Sequence, residues 1–119
     1  ISMKKVLIIK NGKVIIQNAE IADSFFSRFK GLMFKKSIAE DYALHIKPCN
    51  QIHTFNMRFS IDVIYLSETG KVIRIDENVK SNRVCKTVKG AKSVIETNCL
   101  SASKFGIIEG DILEICNIQ

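Results

Sequence analysis

Between Pro48 and Val63 the chain gathers a thiol (Cys49), an imidazole (His53), a hydroxyl (Thr54), a guanidinium (Arg58) and a carboxylate (Asp62). Polar groups set this close to an apolar run must find partners on folding or lose about 1–3 kcal/mol each. They therefore form either a structural network or a site.

Three chemistries compete for these residues. Cys49 and His53 could form a nucleophile and base, which requires the imidazole to hold the thiolate below its ordinary pKa of about 8.5. The spacing permits that contact without demanding it, and a buried thiol beside a hydrogen-bonded histidine is the plainer reading. A metal site would draw on His45, Cys49 and His53. Pro48 spoils helical ligand spacing, and a closed zinc site wants about four ligands, so no metal and no cofactor is expected. Arg58 and Asp62 are the most informative pair. A carboxylate at the head of a buried strand is costly unless paired, and Arg58 offers a planar fork four positions away. The pair is expected to couple, either as a loop-fixing salt bridge or with Asp62 orienting Arg58 toward a ligand. In the second case His53 and Thr54 add donors, Arg28 joins from a helix end, and Phe55 and Met57 supply apolar walls, although a core role suits both.

The elements that must position these groups are legible in outline. Lys4 to Ile9 and Lys13 to Gln17 are β-branched runs joined by Asn11-Gly12, the pair best suited to the two positive-φ positions of a type I′ turn. Asp23 can cap a short helix with Phe25, Phe29 and Leu32 repeating at i, i+4 and i+7 on one core-facing side, and Gly31 supplies a natural left-handed stop. Tyr42 to Lys47 reads as a strand with Tyr42, Leu44 and Ile46 inward and His45 outward beside Lys47. Ile61-Asp62-Val63-Ile64-Tyr65-Leu66 is almost continuously apolar, which marks an interior strand covered on both sides. Glu68-Thr69-Gly70 turns the chain into Val72 to Ile75. A further strand spans Lys92 to Thr97, Ser101 caps a short helical turn, and Asp111 to Ile115 closes the chain. The expected fold is α+β and mainly β: a small barrel-like antiparallel or mixed sheet of six to eight short strands with two short helices, as one domain over residues 1–119.

Composition narrows the class of function. The chain is 46% hydrophobic and 25% charged with a single proline, so it can bury a core without disulfides or metal. No apolar run approaches the ~18 residues of a membrane span. The apolar stretch after Met3 ends at Lys10, too soon for a secretory signal, and Ile1-Ser2 read as a cloning remnant. The expectations are a cytoplasmic monomer, no membrane partner, and four cysteines (Cys49, Cys85, Cys99, Cys116) that stay thiols. Lys80, Arg83, Lys86, Lys89 and Lys92 supply five of the net +6 charges. They make an anion-binding or nucleic-acid surface conceivable. Yet no aromatic residue interleaves them, which disfavours nucleic acid and leaves a solvated loop as the plain reading.

Three stretches carry a resemblance. Arg28-Phe29-Lys30-Gly31-Leu32-Met33 resembles the Arg-x-x-Gly-Leu-Met signature of the uncharacterised family "domain of unknown function 192". Cys49-x-x-x-His53-Thr54-x-x-Met57-Arg58-x-x-x-Asp62-Val63 is similar to its second signature. Val94-Ile95-Glu96 with Phe105-Gly106-Ile107-x-x-Gly110-Asp111 is similar to its third, so the likeness runs from about residue 21 to 115. The sequence departs from the family's pattern at Leu100, where a glycine often stands. The resemblance implies a small barrel-like fold and brings no settled activity. The leading expectation is a binding or accessory module that recognises a small or anionic ligand, or a protein segment, through Arg28, Cys49, His53, Thr54, Met57, Arg58 and Asp62. A small enzyme using Cys49 or His53, and weak anion binding through Lys80–Lys92, stand as alternatives.

Overall fold

The computed structural model describes residues 3–118, so Ile1 and Ser2, read above as a cloning remnant, lie outside the described residues. Strand β1 (Lys4–Lys10) turns at Asn11-Gly12 into β2 (Lys13–Ala22). Asn11 has φ 52° and Gly12 φ 76°, the two left-handed positions the turn requires. Helix α1 (Phe25–Lys30) then carries the chain across to β3 (Tyr42–Ile46), which pairs parallel with β2. Strands β4 (Ile61–Leu66) and β5 (Val72–Val79) form the second hairpin, followed by β6 (Ser93–Asn98), α2 (Ser101–Lys104) and β7 (Leu113–Asn117). The result is one mixed seven-stranded sheet in the order β5-β4-β6-β3-β2-β1-β7.

The fold is mainly β with two short helices, as the patterning predicts, but the sheet is not closed into a barrel. It curls until its edge strands meet at one corner only. There Lys71 bridges Ile112, and the Leu113 N–H donates to the Gly70 carbonyl at 2.9 Å. Gly70 is required at that corner: its φ is 87°, and a Cβ would run into the Leu113 carbonyl.

Curling gives the sheet two buried faces. Inside the curl, Val6 and Ile8 of β1 meet Ala43, Ile64, Leu66 and Ile95, with Ala102 of α2 closing one end. Outside it, Leu44, Ile46, Val63, Tyr65 and Val94 are covered by Leu32, Ile52, Met57 and Ala91 from the long loops. Strand β4 is therefore buried along its whole length, as its continuous apolar sequence predicts.

Four local expectations are corrected. The N-cap of α1 is Ser24 rather than Asp23: its hydroxyl accepts from the Ser27 N–H at 3.1 Å, and the Ser27 hydroxyl reciprocates. No residue of α1 is buried, because Gly31 breaks the helix before Leu32 reaches the core. Phe25 and Phe29 thus stand in solvent while Leu32 alone goes inside. His45 is buried rather than exposed, since β3 lies between β2 and β6 and is covered on both sides. It registers with Ile95 and faces the inside of the curl. Ser101 is not a cap either; Leu100 holds that position with no side-chain bond to the helix.

Leu100 adopts φ 72°, a left-handed conformation that costs a residue with a Cβ about 1–2 kcal/mol. Leu100→Gly is expected to raise stability by about 0.5–1 kcal/mol, the gain being partly offset by the greater freedom of glycine in the unfolded chain. A denaturation midpoint at or below that of the parent would show that the strain is relieved in some other way.

A groove over a buried carboxyl group

The groove is assembled by α1, the segment after β3, and β6. Arg28 sits in the last turn of α1, and its Nη1 donates to the Pro48 carbonyl at 3.3 Å. Its Nε is buried without a partner among the described residues. Gly31 at φ 47° redirects the chain so that Leu32 enters the outer core and Met33 after it is buried. Past Pro48, the Cys49 N–H donates to the Lys92 carbonyl at 2.9 Å, which fastens this segment to the start of β6. The Cys49 thiol donates to the Gln51 carbonyl at 3.2 Å.

His53 is held at both ring nitrogens. Nδ1 accepts from the Phe55 N–H at 3.2 Å, so Nε2 carries the proton and donates to the Phe29 carbonyl at 3.3 Å. The ring lies between two aromatic neighbours, Phe29 at 5.6 Å and Phe55 at 5.3 Å.

Beneath them is Glu96. On β6 it faces outward between Leu44 of β3 and Val63 of β4, only 3% exposed. Its Oε1 has no hydrogen-bond partner among the described residues. Burial pushes its carboxyl pKa from an ordinary 4.5 up to about 8, so the group holds its proton at neutral pH. Glu96, Arg28, Gly31, Cys49 and His53 line a cavity of about 40 Å³. Above it, a groove of about 550 Å³ runs between Phe25, Arg28, Phe29, Cys49, His53 and Lys92.

Of the seven expected ligand-binding residues, Arg28, Cys49, His53 and Met57 line this cavity or groove, Met57 as a buried part of the wall. The other three do different work. Thr54 is fully buried and clamps the following loop, its Oγ1 donating to the Lys80 carbonyl at 2.6 Å and accepting from the Arg83 N–H at 2.8 Å. Arg58 is exposed and makes no ion pair or hydrogen bond within the described residues. Asp62 faces the inside of the curl at the start of β4, where Oδ1 accepts from the Asn78 N–H and Oδ2 from the Ala102 N–H. The expected Arg58–Asp62 pair is absent because backbone donors satisfy the carboxylate. Lys80, Arg83, Lys86, Lys89 and Lys92 all stand exposed on the loop covering the outer core, and only Lys92 reaches the groove. The sequence reading missed Phe25 and Phe29 as rim residues and Glu96 as the floor. A signal for Glu96 existed, an acidic residue directly after the apolar pair Val94-Ile95 within a strand, akin to the one that singled out Asp62.

The three stretches of family likeness therefore meet at one place: Arg28 and Gly31 from the first, Cys49, His53 and Met57 from the second, Glu96 from the third. The sequence model of domain of unknown function 192, described as "Uncharacterized ACR", matches residues 6–115. The chain belongs to this family. It is 39% identical over 92 residues to a UPF0127 protein of Thermococcus sibiricus, a match covering 72% of this chain and 58% of that protein. A second UPF0127 protein, of Thermococcus kodakarensis, is 31% identical over 108 residues, covering 86% of this chain and 67% of the relative. The chain thus spans under two thirds of the length of the first of these relatives. Its fold is similar to two crystal structures. One is of a Sinorhizobium meliloti protein provisionally described as a transcription regulator (TM-score 0.80, 21% identity, 95% of this chain and 93% of that one). The other is of a Novosphingobium aromaticivorans protein of unknown function (TM-score 0.78, 20% identity, 92% and 83%). At these identities the likeness shows the fold alone.

The chemistry of the groove argues against a thiolate nucleophile in this DUF192 protein. Burial pushes the Cys49 thiol up, and the hydrogen bond to Gln51 and the charge of Arg28 do not offset it. Both nitrogens of His53 are already engaged. Cys49 is expected to react with iodoacetamide at neutral pH more slowly than a free thiol, with no slowing on His53→Ala. Rapid alkylation that depends on His53 would contradict this arrangement and favour an enzyme.

Proposed function

We propose that this protein is a binding module that receives a small ligand, or the end of a chain segment, in the groove between Phe25, Phe29 and Lys92. The head group enters the cavity below, between Glu96 and Arg28. The observation that supports this reading most strongly is a pair of buried polar atoms without partners among the described residues, Oε1 of Glu96 and Nε of Arg28, on two residues that line the same small cavity. A buried polar atom left without a partner is costly, and a group arriving from outside would satisfy it. Such a head group pairs with the protonated carboxyl of Glu96, which can both donate and accept, and presents an acceptor to Arg28, as a carboxamide, a carboxylic acid or a hydroxyl does. The cavity has room for a group of a few heavy atoms. The phenylalanines flank the apolar remainder, and Lys92 attracts negative charge at the mouth.

Benzamide, benzoic acid and benzyl alcohol share an apolar ring and differ only in the head, so they are suitable probes. At least one is expected to raise the melting temperature, by the mass action of a ligand that binds only the folded chain. The rise should vanish in Glu96→Leu and survive in Arg58→Met. No response to any head group, or an equal response in Glu96→Leu, would overturn the proposal.

A further inference from the structure

A second feature lies beside the groove and shares Phe25 and Phe29 with its rim. Of the seven phenylalanines in the chain, five are exposed: Phe25 (79%), Phe26 (71%), Phe34 (65%), Phe29 (59%) and Phe55 (44%). They occupy one region. Phe25, Phe26 and Phe29 belong to α1, Phe55 joins Phe29 through the His53 ring, and the Phe34 N–H donates to the carbonyl of Asn56, next to Phe55, at 3.0 Å. Large aromatic side chains left in water around one helix and the loops beside it mark a surface that something else covers.

The charges around this face restrict what that is. Between Asp23 and Glu40 the sequence holds Arg28, Lys30, Lys35 and Lys36 and no acid. Lys30, Lys35 and Lys36 are exposed, and Arg58 stands exposed one residue past the Asn56-Met57 turn. A second copy of the chain would set these cations against their own kind. The complement is apolar and anionic at once. An anionic bilayer meets both demands: phenyl rings enter the boundary between headgroups and acyl chains while lysine and arginine stay among the phosphates. Such contact needs no spanning segment, and among the described residues no helix is long and apolar enough to cross a membrane.

We propose that the face carrying Phe26, Phe34, Lys35 and Lys36 docks this protein on the surface of bilayers that contain anionic phospholipid. None of these four residues lines the groove, so the docking and the ligand reading stand or fall separately.

Co-sedimentation with vesicles tests the docking. The chain is expected to bind equimolar phosphatidylcholine–phosphatidylserine vesicles at least about tenfold more tightly than phosphatidylcholine alone, with the preference shrinking as salt is added. Phe26→Ser with Phe34→Ser should weaken that binding by about tenfold, as should Lys35→Glu with Lys36→Glu. Lys13→Glu, at the hairpin turn and the far end of β2 from α1, should not. Circular dichroism of each variant checks that the fold survives. Equal binding to both vesicle types would overturn the proposal, as would binding that ignores the Phe26→Ser/Phe34→Ser change, the mark of simple adsorption by a basic chain. Tighter, phenylalanine-dependent binding to polyglutamate than to either vesicle would assign the face to an acidic protein instead.

Discussion

Asp62→Ala is expected to destabilise the fold by about 3–5 kcal/mol, while Arg58→Met should shift it by less than about 0.5 kcal/mol. Asp62 is fully buried, and its two oxygens accept from Asn78 N–H at 3.0 Å and Ala102 N–H at 3.2 Å. The second donor belongs to the first turn of α2, a helix with no side-chain cap of its own. A carboxylate from β4 thus does the capping, holding the helix against the end of the curl. Truncation leaves two N–H groups without a partner, at about 1–3 kcal/mol each, and adds a small void. Asp62→Asn keeps one acceptor and should cost less. Combined with Arg58→Met it should behave additively within about 0.5 kcal/mol in denaturant unfolding. A coupling above about 1 kcal/mol would show that Arg58 turns in to meet Asp62.

The second large effect is a dependence on pH. Below about pH 4.5 both the folded and the unfolded chain keep the Glu96 proton. Between 4.5 and about 8 the unfolded chain releases it while the buried group retains it, so stability falls as pH rises. The slope is about 1.4 kcal/mol per pH unit, which over this window amounts to on the order of 4–5 kcal/mol. His45 acts in the opposite direction. Burial, assisted by the nearby charge of Lys47, pushes it from 6.5 down to about 4, so the stability it contributes is present above 6.5 and is lost as pH falls toward 4. The two slopes oppose each other between pH 4.5 and 6.5, and Glu96 acts without that opposition from 6.5 to 8, where the loss should be about 2 kcal/mol. Comparing the parent with Glu96→Gln at each pH isolates the group. The stability difference between them should shift in favour of the glutamine variant as pH rises. A difference that stays constant across that range would mean that Glu96 ionises in the folded chain as it does in the unfolded one.

What the sequence reveals and what it hides follow from the range of the interactions. The Asn11-Gly12 turn and the buried run of β4 are local, and both are as the residues predict. The parallel pairing of β2 with β3 is not local. It places His45 inside a sheet covered on both sides, where alternation along a single strand assigns it to the surface. Arg58 and Asp62 are four positions apart, yet a loop does not hold such residues on one face as a helix does. The donors that satisfy Asp62 come from positions 78 and 102. The phenylalanines of α1 follow a helical core pattern on a helix that stops before it can bury them. Arg28, Cys49 and His53 were reachable from their motifs, whereas Glu96 as the floor of the groove required knowing that β6 lies next to β3 and β4.

Whether the groove is an open site with Glu96 at its floor is decided by a crystal soaked with benzamide, benzoic acid and benzyl alcohol. The predicted result is a fragment lying between Phe25 and Phe29, its head group within hydrogen-bond reach of Glu96 Oε1 and Arg28 Nε. The contradicting result is an Arg28 side chain swung inward onto Glu96, filling the cavity with a salt bridge and leaving no fragment in the groove.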